Sequence, residues 1–136
     1  MNRGIPLVDV YKYLHTSPVD IIPPTEIANI KEGASLLVKH ISQNSKIMLQ
    51  IDSDCDGFTS FAVFMNYLNN LFPAFVQNNI VYKTHKGKSH GIDIDEIPKD
   101  TKLVIALDAS SNEYELHKTL QEAGMDILII DHHEAK

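Results

Sequence analysis

The segment that most constrains this chain is the apolar run Lys46-Ile-Met-Leu-Gln-Ile51, which ends abruptly in Asp52-Ser-Asp54-Cys-Asp56-Gly57. A short apolar run bounded by a turn reads as a buried strand. After it, Phe61, Phe64, Met65, Leu68 and Phe72 recur at helical spacing, predicting a helix over Phe58–Phe72 with Gly57 as the break before it and Pro73 as its stop. The alternation continues with strands over Ile80–Thr84, Leu103–Leu107 and Ile127–Ile130. A helix over Asn112–Ala123, stopped by Gly124, separates the last two strands. Strands separated by helices pair in parallel through right-handed crossovers. The expected class is α/β, a doubly wound, mainly parallel sheet with flanking helices.

Upstream, Leu7–Leu14 reads as a short element, followed by a stretch interrupted at Pro18, Pro23 and Pro24 and then a helix over Thr25–Ser42 with Thr25 as its cap. The expected organisation is a helical segment over 1–45 packing on the sheet, and the sheet domain over 46–136.

A chain of 136 residues, 43% of them apolar, has the size of one globular domain. It shows no signal-peptide pattern, and no apolar stretch approaches the ~20 residues of a membrane span. A soluble, cytoplasmic protein is expected. The single cysteine, Cys55, excludes an internal disulfide and a thiolate zinc cluster; among anionic neighbours it is expected to be a packed small side chain. The net charge of −6 argues against a general nucleic-acid coat protein. It does not argue against a nuclease, whose metal-ligand carboxylates would account for much of that acidity.

The topology places polar residues after three strands: Asp52, Asp54 and Asp56 after the first, Asp108 after the third, and Asp131-His132-His133 after the fourth. In open parallel sheets ligands bind at that edge. Carboxylates this close raise one another's pKa unless a cation neutralises them, so the constellation reads as a metal site. An EF-hand loop would need Glu at its twelfth position, where Val63 stands, and a helix before it. The D-x-D-x-T pattern of haloacid-dehalogenase-type phosphatases is one residue too short for Asp54-Cys-Asp56-Gly-Phe-Thr59. Helix capping accounts for one aspartate of the three.

The strings DSDCDGFTS, LVIALDAS and ILIIDHHEA resemble motifs one, two and three of the DHH phosphoesterase family. The D-x-D-x-D-G-x-T-S form is similar to its RecJ branch of single-strand-specific exonucleases. The branch that carries a histidine four residues upstream would place it at Gln50. Lys86-Gly-Lys88-Ser-His90-Gly91-Ile92 also resembles the segment preceding motif two in RecJ-like proteins.

The resemblance implies two ions, most often Mn2+ with Mg2+ as a substitute, a preference that fits an imidazole among hard carboxylates. It assigns Asp52 and Asp54 to one ion, Asp56 and His132 to the other, and Asp108 to both. Asp131 orients an imidazole from behind, and His133 faces the scissile phosphate, so that Asp108, His132 and His133 form the catalytic set. The implied reaction is phosphodiester hydrolysis without a covalent protein intermediate, on single-stranded DNA from its 5′ end. Lys83, His85, Lys86, Lys88 and His90 form a basic cluster that could contact backbone phosphates. Phe58 and Phe61 are expected in the helix core rather than as base-stacking platforms. The family's fourth motif and C-terminal domain lie outside this sequence, so a fragment one ligand short, weakly active or inactive alone, is expected. Two other functions fit the same residues: a phosphoesterase acting on oligoribonucleotides, cyclic dinucleotides or polyphosphate, and a non-catalytic metal-dependent binding module.

Overall fold

The structure is a computed structural model that describes residues 4–85 and 91–134. By internal contacts the chain divides into two compact units, Met1–Glu32 and Gly33–Lys136. The first contains helix α1 (Leu7–Leu14) and two 3-10 turns, Pro18–Asp20 and Pro24–Glu26. Asp20 fastens the first turn by accepting from the Ser17 backbone N–H at 2.9 Å and from its hydroxyl at 3.0 Å. The helix expected from Thr25 begins later, as α2 (Ile30–Ser42), because Pro23 and Pro24 set a tight turn and Asn29 adopts a left-handed φ of 58°. Thr25 therefore lies inside a 3-10 turn.

The second unit contains β1 (Lys46–Ile51), α3 (Cys55–Leu71), α4 (Pro73–Asn79), β2 (Ile80–Thr84), β3 (Thr101–Leu107), α5 (Tyr114–Glu122) and β4 (Asp126–Ile130). The four strands form one sheet in the order β2-β1-β3-β4. Every pairing is parallel, as the strand-helix alternation predicts. From β1 the chain moves outward to β2, then returns past β1 to β3 and β4. The order of winding therefore reverses between β1 and β3.

Those two central strands are buried on both faces, which explains their continuous apolar character. On one face Ile47, Leu49, Leu103, Ile105 and Leu107 join Phe75, with Leu36, Leu37 and Ile41 of α2 and Phe61, Phe64 and Met65 of α3 packed against them. On the other, Val104 and Ala106 meet Ile92 and Leu120, with Leu116 of α5 alongside. Helix α3 starts three residues before the expected Phe58 because Asp54 caps it, its carboxylate accepting from the Gly57 N–H at 2.9 Å. Pro73 stops α3 and also opens α4, where its fixed φ suits the first helical position. No helix among the described residues is long and apolar enough to cross a membrane.

Asp126 at the start of β4 accepts from Lys39 Nζ at 2.8 Å and lies 2.9 Å from His40 Nε2. Lys39 first, then His40, holds its carboxyl below the usual carboxylate range. A carboxyl that titrates lower folded than unfolded adds stability above its unfolded pKa and loses it as pH falls through the folded value. Asp126→Asn is expected to lower the thermal midpoint slightly near pH 7, and the difference from the parent chain is expected to shrink at about pH 2, as the parent's Asp126 carboxyl takes up a proton. Melting curves followed by circular dichroism at the two pH values check this.

Candidate metal centre

The sheet ladder continues one residue beyond β1, β2 and β3. Asp52 N–H donates to the Leu107 carbonyl at 3.3 Å, Asp108 N–H to that of Ile130 at 2.8 Å, and His85 N–H to that of Ile51 at 3.2 Å. Asp52, Asp108 and Asp131 are thereby held side by side at the C-terminal edge, where the winding reverses.

Asp52 is 5% and Asp108 4% exposed. Asp52 Oδ1 accepts from the Ser53 N–H at 2.7 Å and lies 3.0 Å from His85 Nδ1. Asp108 adopts a φ of 62° and Ser110 one of 78°. Left-handed backbone at two non-glycine residues costs energy that surrounding structure must offset, a pattern concentrated at functional sites. Asp108 Oδ1 lies 3.2 Å from His132 Nε2 and 3.9 Å from His133 Nδ1. Its Oδ2 is buried without a hydrogen-bond partner.

Asp131 accepts from the Ser111 hydroxyl at 2.7 Å and backbone N–H at 3.3 Å. Its other oxygen takes the His133 backbone N–H at 3.0 Å and stands 2.6 Å from His133 Nδ1. Burial pushes the Asp131 carboxyl upward, but the donors from Ser111 and His133 together outweigh it and hold it well below the usual range. The same contact with Asp131 raises the His133 imidazole. The Asp108 carboxyl moves the opposite way, raised by burial first and then by the charge of Asp54, with Asp56 adding and the two histidines opposing.

Among the described residues, two groups of side chains bring potential ligand atoms within 4.8 Å of one another: Asp52, Asp54 and Asp108, and Asp108, His132 and His133. Asp108 belongs to both. Asp56 lies in the first turn of α3, exposed and in neither group, though close enough for its charge to act on Asp108. A buried carboxylate oxygen with no partner, among hard oxygen donors and imidazole, fits a divalent cation.

Several sequence expectations need correction here. His85 is buried and engaged with Asp52, so it does not belong to an exposed phosphate-binding cluster. Lys83 pairs with Glu96 at 3.7 Å, while Lys86, Lys88 and His90 lie outside the described residues. Cys55 is exposed because the first turn of α3 carries it off the sheet. Phe61 packs on the core and against Tyr82, but Phe58, nearer the helix start, is 49% exposed. Ser111, which fastens Asp131, carried no signal in the sequence, since serines near strand ends are common. A cavity of about 630 Å³ opens at the opposite edge of the sheet, where Lys39 and Lys46 are paired with Asp126 and Asp100.

Gly57 was expected to break the chain, yet it sits inside α3. A Cβ there would lie 2.2 Å from the Asp52 carbonyl oxygen, so only glycine lets the helix approach the acidic turn. An alanine in place of glycine within a helix ordinarily stabilises by about 0.5–1 kcal/mol. Gly57→Ala is expected to destabilise instead, by about 1–3 kcal/mol, as overpacking does. Urea unfolding measures the sign.

The DHH family, N-terminal domain, matches residues 46–136. Over 135 residues the chain is 38% identical to YorK of Bacillus subtilis strain 168, described as an SPbeta prophage-derived single-strand DNA-specific exonuclease; the match covers 99% of this chain and 23% of that protein. It is 33% identical to the single-stranded-DNA-specific exonuclease RecJ of the same organism, over 90% of this chain and 16% of RecJ. The chain thus spans less than a quarter of these relatives. A crystal structure of exonuclease RecJ bound to manganese superposes with a TM-score of 0.67 at 22% identity, covering 85% of this chain and 30% of that one. RecJ from Thermus thermophilus in complex with Mn2+ gives 0.65 at 19%, covering 86% and 16%. Strand order, acidic edge and motif match agree: the chain belongs to the DHH family, and residues 46–136 are its N-terminal domain.

Proposed function

We propose that this chain carries the metal-binding edge of a two-metal phosphodiesterase that degrades single-stranded DNA from its 5′ end. The observation that carries the reading is the shared Asp108, buried, with one oxygen lacking a partner and with cation-competent groups on both sides. The relatives named as single-strand DNA-specific exonucleases, and RecJ structures holding manganese, support the substrate and Mn2+, with Mg2+ as a substitute. A cytoplasmic location goes with a DNA substrate.

Asp52 and Asp54 would hold one cation and His132 the other, with Asp108 touching both; exposed Asp56 stands at the rim of the second site. Bound there, two divalent cations supply Lewis-acid neutralisation of a phosphodiester and the acidity that makes water a nucleophile. His133 is assigned to substrate rather than metal because its Nδ1 already faces Asp131 at 2.6 Å. Held by that carboxylate, which favours the protonated ring, Nδ1–H donates backward and Nε2–H is left to donate to a phosphate oxygen. Ser111 keeps Asp131 in place, so the imidazole is oriented before substrate arrives.

Calorimetric titration with Mn2+ is expected to show saturable binding that Asp108→Ala abolishes. Any hydrolysis by the chain is expected to require Mn2+, to release mononucleotides from the 5′ end of single-stranded oligonucleotides in preference to duplex, and to vanish in the same variant. Equal digestion of duplex, or release from the 3′ end, overturns the substrate assignment; absence of Mn2+ binding by the parent chain overturns the site.

A further inference from the structure

His85 stands one residue past β2, with a side chain only 2% exposed. Its Nδ1 lies 3.0 Å from Asp52 Oδ1, and its Nε2 lies against the Gly91 carbonyl oxygen. Gly91 is itself fixed. Its φ is +107°, and a Cβ there would lie 2.0 Å from Glu113 Oε1, while Glu113 Oε2 accepts from the Ile92 N–H at 3.2 Å. A line of contacts therefore runs from Asp52 through His85 and Gly91 to Glu113, the residue preceding α5. An imidazole buried in this way is unavailable to substrate. Its two ring nitrogens instead tie a carboxylate of the metal edge to backbone that α5 anchors.

We propose that His85 is a positioning residue for Asp52, setting the rotation of its carboxylate and so the place its oxygens offer to a cation. The inference rests on the reading of Asp52 as a metal ligand. His85 meets Asp52 through Nδ1 and Gly91 through Nε2, on opposite sides of the ring, and the two contacts can be separated by substitution. In Asn the amide nitrogen takes the place of Nδ1; in Gln it takes the place of Nε2. Groups that orient a ligand commonly contribute about 10–100-fold to metal affinity.

The test is Mn2+ titration of the parent chain, His85→Asn and His85→Gln, with folding checked by circular dichroism. His85→Gln is expected to lose about 10–100-fold in affinity and His85→Asn to stay within about threefold of the parent. In an Asp52→Asn background, His85→Gln should cause no further loss. Equal affinity of His85→Gln and the parent, equal weakening by both variants, or additive loss in the double variant overturns the proposal. Should either variant fail to fold, ¹⁵N NMR of the parent chain decides: the His85 ring resonances should shift on Mg2+ titration in step with saturable binding, and unmoved resonances overturn it. A parent chain that binds no Mn2+ brings down the site assignment itself, an outcome distinct from the failure of His85 alone.

Discussion

Everything at the functional edge depends on the parallel pairing of β1 with β3. Ile51 is opposite Leu107 in that register, and the ladder continues from Asp52 N–H to the Leu107 carbonyl. Two aspartates that are 56 positions apart, 52 and 108, are thus held at neighbouring strand ends with little freedom to separate. Both are buried, and at Asp108 burial first and then the charge of Asp54 raise the cost of ionising the carboxyl. A sheet that brings such groups together without a cation would bear that cost for nothing, which is the physical argument for a metal here.

Around this pair the local devices have separable roles. Asp54 caps α3 while its side chain remains within reach of Asp52 and Asp108. Gly57 lets the helix backbone approach the acidic turn closely. The left-handed turn at Asp108 and Ser110 bends the chain away directly after β3, and Ser111 then supports Asp131, which supports His133. Each support comes from a different strand end or helix start, so the geometry of the edge belongs to the whole sheet rather than to any one motif.

The two imidazoles of the His132-His133 pair are not equivalent. His132 faces Asp108 through Nε2, whereas His133 is held by Asp131 through Nδ1. Identical neighbouring residues acquire different chemistry because different carboxylates capture different ring nitrogens. That division of labour matches a site in which one group completes a cation's shell and the other meets substrate.

Much was legible in the sequence itself. The apolar run before DSDCDG marked β1, the recurring strand-helix alternation marked a parallel sheet, and the acids at strand ends marked its functional edge, because burial on both faces demands continuous apolar strands and parallel winding gathers ligand-binding loops at one side. Short local signals misled: Gly57 looked like a break, the prolines before α2 hid its true start, α4 was not seen, and Cys55 and Phe58 looked packed. Tertiary structure alone decided that His85 turns inward to Asp52, that Ser111 fastens Asp131, and that Asp56 stands apart from both ligand groups. Those outcomes depend on which side chains meet across the sheet edge, and composition and periodicity along one strand carry no record of contacts with another.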